Sequence, residues 1–205
     1  MIFCGSFLPT PMSLPNDPSA PSPRAALRQQ LLASREAFVA SAAFEAAQTA
    51  IQARLVAVLS DLVPECLGIY WPLGSEFNAA RPWLAGDEGS ALPLALPFAQ
   101  REPRRLTYRR WNGSPPELKD DCGIAASGGA PVAPDVVLVP CLGYTDGGFR
   151  LGYGGGYYDR YLAEFPDVTA IGVAWSVSRV DAAQFAAEAH DRPMMLIVTE
   201  QGIVG

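Results

Sequence analysis

A three-layer α/β sandwich with a parallel or mixed central sheet is the fold class predicted by this 205-residue sequence. Three observations predict it: helix-forming residues run from Arg24 to Asp61, short apolar runs bounded by proline or glycine recur after them, and helical patterns alternate with those runs. Apolar stretches without polar alternation, such as Val136 to Val139, belong to sheets covered on both faces, and the helices supply the cover.

Residues 1–23 carry "PTPMSLPNDPSAPSP", whose prolines and serines support no regular element, so they are expected to form a disordered leader, with Met12 an alternative start. Residues 24–205 then form a single domain. From Arg24 to Asp61 the composition shifts to Ala, Leu, Gln, Arg and Glu, which predicts two helices. Ser22 and Pro23 suit the first helix start, and Ser41 with Glu45 resembles the cap of the second. Strands are expected at "CLGIYWP" (66–72), "LPLALP" (92–97), "LTYRRW" (106–111), "DVVLVPC" (135–141), "VTAIGVAW" (168–175) and "MMLIVTE" (194–200).

Composition excludes much chemistry. The net charge of −6 opposes a broad phosphate-binding face, so neither nucleic acid nor an anionic membrane is an expected partner. Lys119 is the only lysine and His190 the only histidine, which removes P-loop, Schiff-base and His-pair zinc mechanisms. Cys4, Cys66, Cys122 and Cys141 show no Cys-x-x-Cys spacing and are expected reduced and mostly buried. No run reaches the ~20 apolar residues of a membrane helix, and the opening lacks the basic region of a secretory signal. The cytoplasm is the consistent compartment.

The stretch "RLGYGGGYYDRYL" (150–162) follows the strand "DVVLVP" and leads into a helix starting near Tyr157. Glycines at a strand's carboxyl end, opening a helix, suit phosphate binding by backbone N–H groups. The fold is thus Rossmann-like, but the spacing fails Gly-x-Gly-x-x-Gly and the dinucleotide fingerprint is absent, which makes an oxidoreductase a poor reading. Arg150 offers a fork for phosphate oxygens, and Asp159 a carboxylate that could hold Mg²⁺ against them. This trio suits phosphoryl transfer.

"RLGYGGGYYDR" also resembles the Arg-Leu-Gly-x-Gly-x-Gly-Tyr-Tyr-Asp-Arg signature of the 5-formyltetrahydrofolate cyclo-ligases. Weaker matches in the same order are "RAALRQQLLASR", "YWPLGSEFN", "DDCGI", "LVPCLGY", "IGVAW" and "HDRPMMLIVTEQGIV". The resemblance implies ATP- and Mg²⁺-dependent conversion of 5-formyltetrahydrofolate to 5,10-methenyltetrahydrofolate, with release of ADP and phosphate, through a phosphorylated formyl group.

By the same resemblance, Arg150, Tyr158 and Asp159 are catalytic. ATP is held by Arg24, Arg28, Arg150, Gly152, Gly154, Gly155, Gly156 and Tyr158. Folate contacts Trp71, Glu76, Tyr153, Gly154, Gly155, Gly156 and Tyr157, with Trp71 packing on the pterin and Glu76 accepting its hydrogen bonds. Asp159 and Asp191 are the expected Mg²⁺ ligands. The partners are a reduced folate and ATP, and the chain is expected as a monomer or weak dimer. Arg24 stands where the family usually has lysine, Asn78 where threonine is common, and Ala126-Ser127 where Glu-Pro is usual. The glutamine often found after the "IGVAW" strand is also absent. These departures motivate an alternative, a non-catalytic nucleotide- or folate-binding paralogue.

Overall fold

The computed structural model describes residues 22–81, 92–181, 183–185, 187–188 and 191–205. The expected leader up to residue 21, Cys4 and His190 lie outside the described residues. Helix α1 (Pro23–Val39) begins as its sequence dictates: the Ser22 hydroxyl accepts the Ala25 N–H, and Pro23 occupies the first turn, where a missing N–H is harmless. Helix α2 (Phe44–Leu62) does not use the expected cap. Ala43 is its N-cap, while Ser41 donates its hydroxyl to the Phe38 carbonyl at 2.7 Å. Ser41 lies so close behind α1 that its side chain meets that helix's orphan carbonyls before it can reach the N–H groups of α2.

Each expected run overlaps a strand: β1 (Leu67–Gly68), β2 (Leu94–Arg101), β3 (Arg104–Trp111), β7 (Val136–Pro140), β10 (Thr169–Val173) and β11 (Leu196–Val198), with β2 running four residues past its expected end and β3 starting two residues early. The structure adds β4 (Leu118–Lys119), β5 (Ala125–Ala126), β6 (Pro131–Val132), β8 (Gly143–Tyr144), β9 (Arg150–Leu151) and β12 (Ile203–Val204). Pairs this short carry no periodicity for a sequence reading to find. Helix α3 (Tyr157–Glu164) starts at the expected residue.

The main sheet is mixed, in the order β12-β11-β10-β7-β1-β2-β3-β6. β11, β10, β7, β1 and β2 are parallel, and β12, β3 and β6 join antiparallel at the two edges. Strand alternation divides the interior. Val136, Leu138, Ile171 and Val173 face the layer that holds Ile51, Leu55 and Leu59 of α2. Val137, Val139 and Ala170 face the layer that holds Tyr161 and Leu162 of α3. The central strands are therefore apolar on both faces, which is why they read as continuous hydrophobic runs.

Candidate active site

The order of the parallel strands reverses at β1 and β7: the chain runs from β1 outward to β2, and from β7 outward to β10 and β11 on the other side. Loops leaving the carboxyl ends of such neighbours diverge and open a crevice, the usual ligand site of a doubly wound sheet. A cavity of about 600 Å³ lies there, with Tyr70 and Trp71 after β1 and Pro140 at the end of β7 on its wall. Arg24, Arg28, Trp71, Glu76, Arg150, the whole stretch Gly152 to Asp159, and Asp191 line the same cavity, so every expected site residue is brought to one place.

One wall is the glycine loop. Gly154 (φ +92°) and Gly156 (φ +66°), the N-cap of α3, both lie in the left-handed region, where a side chain would be strained. A Cβ on Gly154 would also sit 3.3 Å from the Arg28 guanidinium carbon. Arg28 holds the loop directly, its Nε donating to the Gly152 carbonyl at 2.8 Å. Arg150 is 7% exposed; its Nη2 pairs with Asp159 Oδ1 at 2.6 Å and its Nη1 donates to the Arg192 carbonyl at 3.3 Å. Its guanidinium also lies 5.9 Å from the Tyr158 ring centre. Asp159 Oδ2 has no hydrogen-bond partner among the described residues. Arg24 bridges Glu188 at 3.1 Å and Asp191 at 3.0 Å, and Asp191 Oδ2 also accepts the Glu188 N–H at 2.8 Å. Asp191 thus closes a turn and faces the cavity at once.

An adjoining wall is built around Glu76, 9% exposed. Its Oε2 accepts the Leu73 N–H at 2.8 Å, and its Oε1 accepts the Tyr153 hydroxyl at 2.7 Å. A carboxylate has about four lone-pair sites, so each oxygen keeps acceptor capacity for a ligand donor. Burial raises the Glu76 pKa, and the Leu73 N–H, the Tyr153 hydroxyl and Arg35 each oppose that rise. Trp71 stands edge-on to Trp111, with ring centres 6.3 Å apart, and presents its remaining surface to the cavity. Burial, followed by the charge of Glu76, pushes the phenols of Tyr153 and Tyr158 upward, so both stay protonated donors at neutral pH.

Sequence reasoning missed three contributors. Arg35 is 2% exposed and donates its Nη2 to the Tyr153 hydroxyl at 2.7 Å and its Nε to Ser75 Oγ at 2.9 Å. It lies seven residues beyond Arg28, on the same face of α1, and extending the Arg24–Arg28 spacing by two turns would have found it. Asp120 is buried and gathers the N–H groups of Ala99, Cys122 and Ile124, pinning the β4–β5 hairpin against β2. Cys122 lies 3.1 Å from the Tyr157 hydroxyl on the cavity wall. Both stand in "DDCGI", a segment whose matching residues carried no assigned role. Cys66, Cys122 and Cys141 are free thiols, Cys66 and Cys141 buried and Cys122 half-buried.

The departures from the family pattern fall mostly outside this cavity. Ala126 and Ser127 border a separate, more open groove of about 760 Å³. Asn78 accepts the N–H groups of Ala80 and Arg81, both at 3.1 Å, in a local turn. Arg24 alone lines the cavity.

Fold and cavity together define an α/β protein whose site pairs an arginine-held glycine loop with a buried carboxylate acceptor. The chain matches the model of the 5-formyltetrahydrofolate cyclo-ligase family over residues 93–200, and it belongs to that family. A curated 5-formyltetrahydrofolate cyclo-ligase from Mycoplasma pneumoniae is 37% identical over 68 residues, a stretch that spans 33% of this chain and 40% of that relative. The fold is similar to that of a 5,10-methenyltetrahydrofolate synthetase from the same organism, with a TM-score of 0.66 at 23% identity over 86% of this chain and 98% of that one. It is also similar to the NMR structure of the Aquifex aeolicus 5,10-methenyltetrahydrofolate synthetase, with a TM-score of 0.70 at 23% identity over 88% and 91% of the two chains.

Proposed function

We propose that the protein is an ATP-dependent cyclo-ligase that converts 5-formyltetrahydrofolate to 5,10-methenyltetrahydrofolate. The observation that carries this reading is the joining of two unlike recognition surfaces in one cavity: an arginine-held glycine loop at a helix N-terminus, and a buried carboxylate with acceptor capacity beside an indole. The first suits phosphates and the second a donor-bearing aromatic ring.

In the proposed reaction the formyl oxygen attacks the γ-phosphorus, and the bond from that phosphorus to the ADP oxygen breaks. N10 then attacks the activated formyl carbon and loses its proton, and the carbon–oxygen bond breaks to release phosphate. Such chemistry needs positioning and charge neutralisation rather than a protein nucleophile. Arg150, Arg28 and Arg24 would neutralise phosphate charge, the loop N–H groups would hold the transferring group, and Tyr158 would donate to it. Glu76, Trp71, Tyr153 and Tyr157 would orient the folate.

The donor set fits Mg²⁺. No cluster of three or more His, Cys, Asp or Glu side chains suited to a metal occurs among the described residues, and Mg²⁺ typically needs only one or two carboxylates beside phosphate and water. Asp159 and Asp191 would hold it, and the ion would neutralise charge on the phosphates.

Mixing the protein with Mg-ATP and 5-formyltetrahydrofolate tests the proposal. The expected result is an ATP-requiring rise in near-ultraviolet absorbance as the methenyl product forms. No rise at high protein concentration, with folate binding verified separately, would leave the non-catalytic paralogue as the better description.

A further inference from the structure

We infer that Arg35 is a positioning residue that acts through Tyr153 to aim Glu76 at the substrate, making Tyr153 a specificity latch between the glycine loop and the folate wall. The inference rests on the cyclo-ligase reading of the cavity. It starts from a guanidinium that is 2% exposed, although burying a charge is expensive unless it is compensated. No ion pair to Arg35 forms among the described residues. Its compensation instead runs through a neutral phenol: Arg35 Nη2 donates to the Tyr153 hydroxyl at 2.7 Å, and that hydroxyl donates to Glu76 Oε1 at 2.7 Å.

Each bond in such a chain polarises the next, so Tyr153 is a stronger donor to Glu76 than an isolated phenol would be. The rest of Arg35 is fixed too. Its Nε donates to Ser75 Oγ, and the Ser75 carbonyl accepts the indole N–H of the fully buried Trp175 at 2.9 Å. The guanidinium is therefore anchored to the main core, and through Tyr153 it fixes one oxygen of Glu76 while the Leu73 N–H fixes the other. With both oxygens fixed, the remaining lone pairs have a set direction, as two adjacent ring donors of a pyrimidine require. Tyr153 itself is 44% exposed, so its ring lies partly in the open while its hydroxyl is committed.

The latch also ties two walls together. α1 grips consecutive loop residues, Gly152 through Arg28 and Tyr153 through Arg35. The groups that face Glu76 are Arg35 on α1, Tyr70 after β1, Cys141 after β7, Tyr153 in the loop and Tyr158 on α3. Burial drives the phenols upward and the Cys141 thiol to about 12. Arg35 and Tyr153 lower the Glu76 pKa, so removing either moves its titration to higher pH.

The test compares Tyr153→Phe, Arg35→Gln, Arg35→Lys and the Tyr153→Phe/Arg35→Gln double variant with the wild-type chain, measuring both Michaelis constants and the pH profile of kcat/KM for the folate. Each single loss is expected to raise the folate KM about tenfold while the ATP KM stays within about twofold, the size of one charge-assisted hydrogen bond. The acid limb should move to higher pH, Arg35→Lys should recover part of the effect, and the double variant should be no worse than the poorer single variant. Wild-type folate KM and an unmoved acid limb in Tyr153→Phe would overturn the inference, even if the Arg35 variants fail to fold. If the wild-type chain shows no turnover, the cyclo-ligase reading fails instead, and 5-formyltetrahydrofolate affinities of the same variants then decide the latch by the same fold-change.

Discussion

Two arginines serve the same cavity in different ways. Arg150 touches its carboxylate directly, with 2.6 Å between Nη2 and Asp159 Oδ1, whereas Arg35 reaches Glu76 only through the Tyr153 hydroxyl. A direct pair can exchange partners: an incoming phosphate can take the guanidinium and release the carboxylate to a cation, with little net loss of charge pairing. A relayed pair cannot do so, because the phenol between them has a single proton to place. On the proposed function, the difference would keep charge exchangeable where phosphate is transferred and lock it where the folate is recognised.

The largest expected effect comes from breaking the direct pair. Asp159→Asn keeps a hydrogen-bond acceptor for Arg150 but removes the charge, and kcat should fall about a hundredfold or more with a raised Mg²⁺ requirement. Steady-state kinetics over a Mg²⁺ titration check this. Near-normal kcat would show that the pair is architectural and would erase the contrast.

Cutting the far end of the relay should act differently. Glu76→Ala is expected to raise the folate KM about 10- to 100-fold, the worth of one or two hydrogen bonds to a charged group, with the ATP KM unchanged. An equal rise in both constants would mean that Glu76 shapes the whole cavity rather than one half of it.

These two regions were not equally legible in the sequence. The glycine loop and Asp159 are contiguous, so local spacing displayed them, and their cavity position followed from one strand-loop-helix unit. Apolar runs likewise revealed the central strands, because burial on both faces removes polar alternation. The relay was hidden because Arg35, Glu76 and Tyr153 belong to α1, the loop after β1 and the loop after β9. Only packing joins them. Ser41 failed for the related reason that a side chain between two helices has two sets of orphan groups within reach, and sequence alone does not rank them.

A third pair supplies the baseline for the comparison. Arg105 of β3 and Glu164 of α3 form an ion pair outside the cavity, with side chains 48% and 41% exposed. Water screens both partners, and ordering two long side chains offsets much of the attraction, so Arg105→Ala should change stability by no more than ~0.5 kcal/mol. For a domain of this size that is a shift of about 2 °C or less in Tm, readable by thermal unfolding, with both Michaelis constants unchanged. On the proposed function, the cavity pairs should exceed this baseline in kinetics because their charges are more shielded from water and would act on the bound substrates. A large loss from Arg105→Ala would instead mean that the contact between β3 and α3 governs the cavity from behind: α3 carries Tyr157, Tyr158 and Asp159 in its first turn and Glu164 at its last residue. A rigid eight-residue helix would then transmit a surface change to the site, and the division between exchangeable and locked charge would have to include its far end.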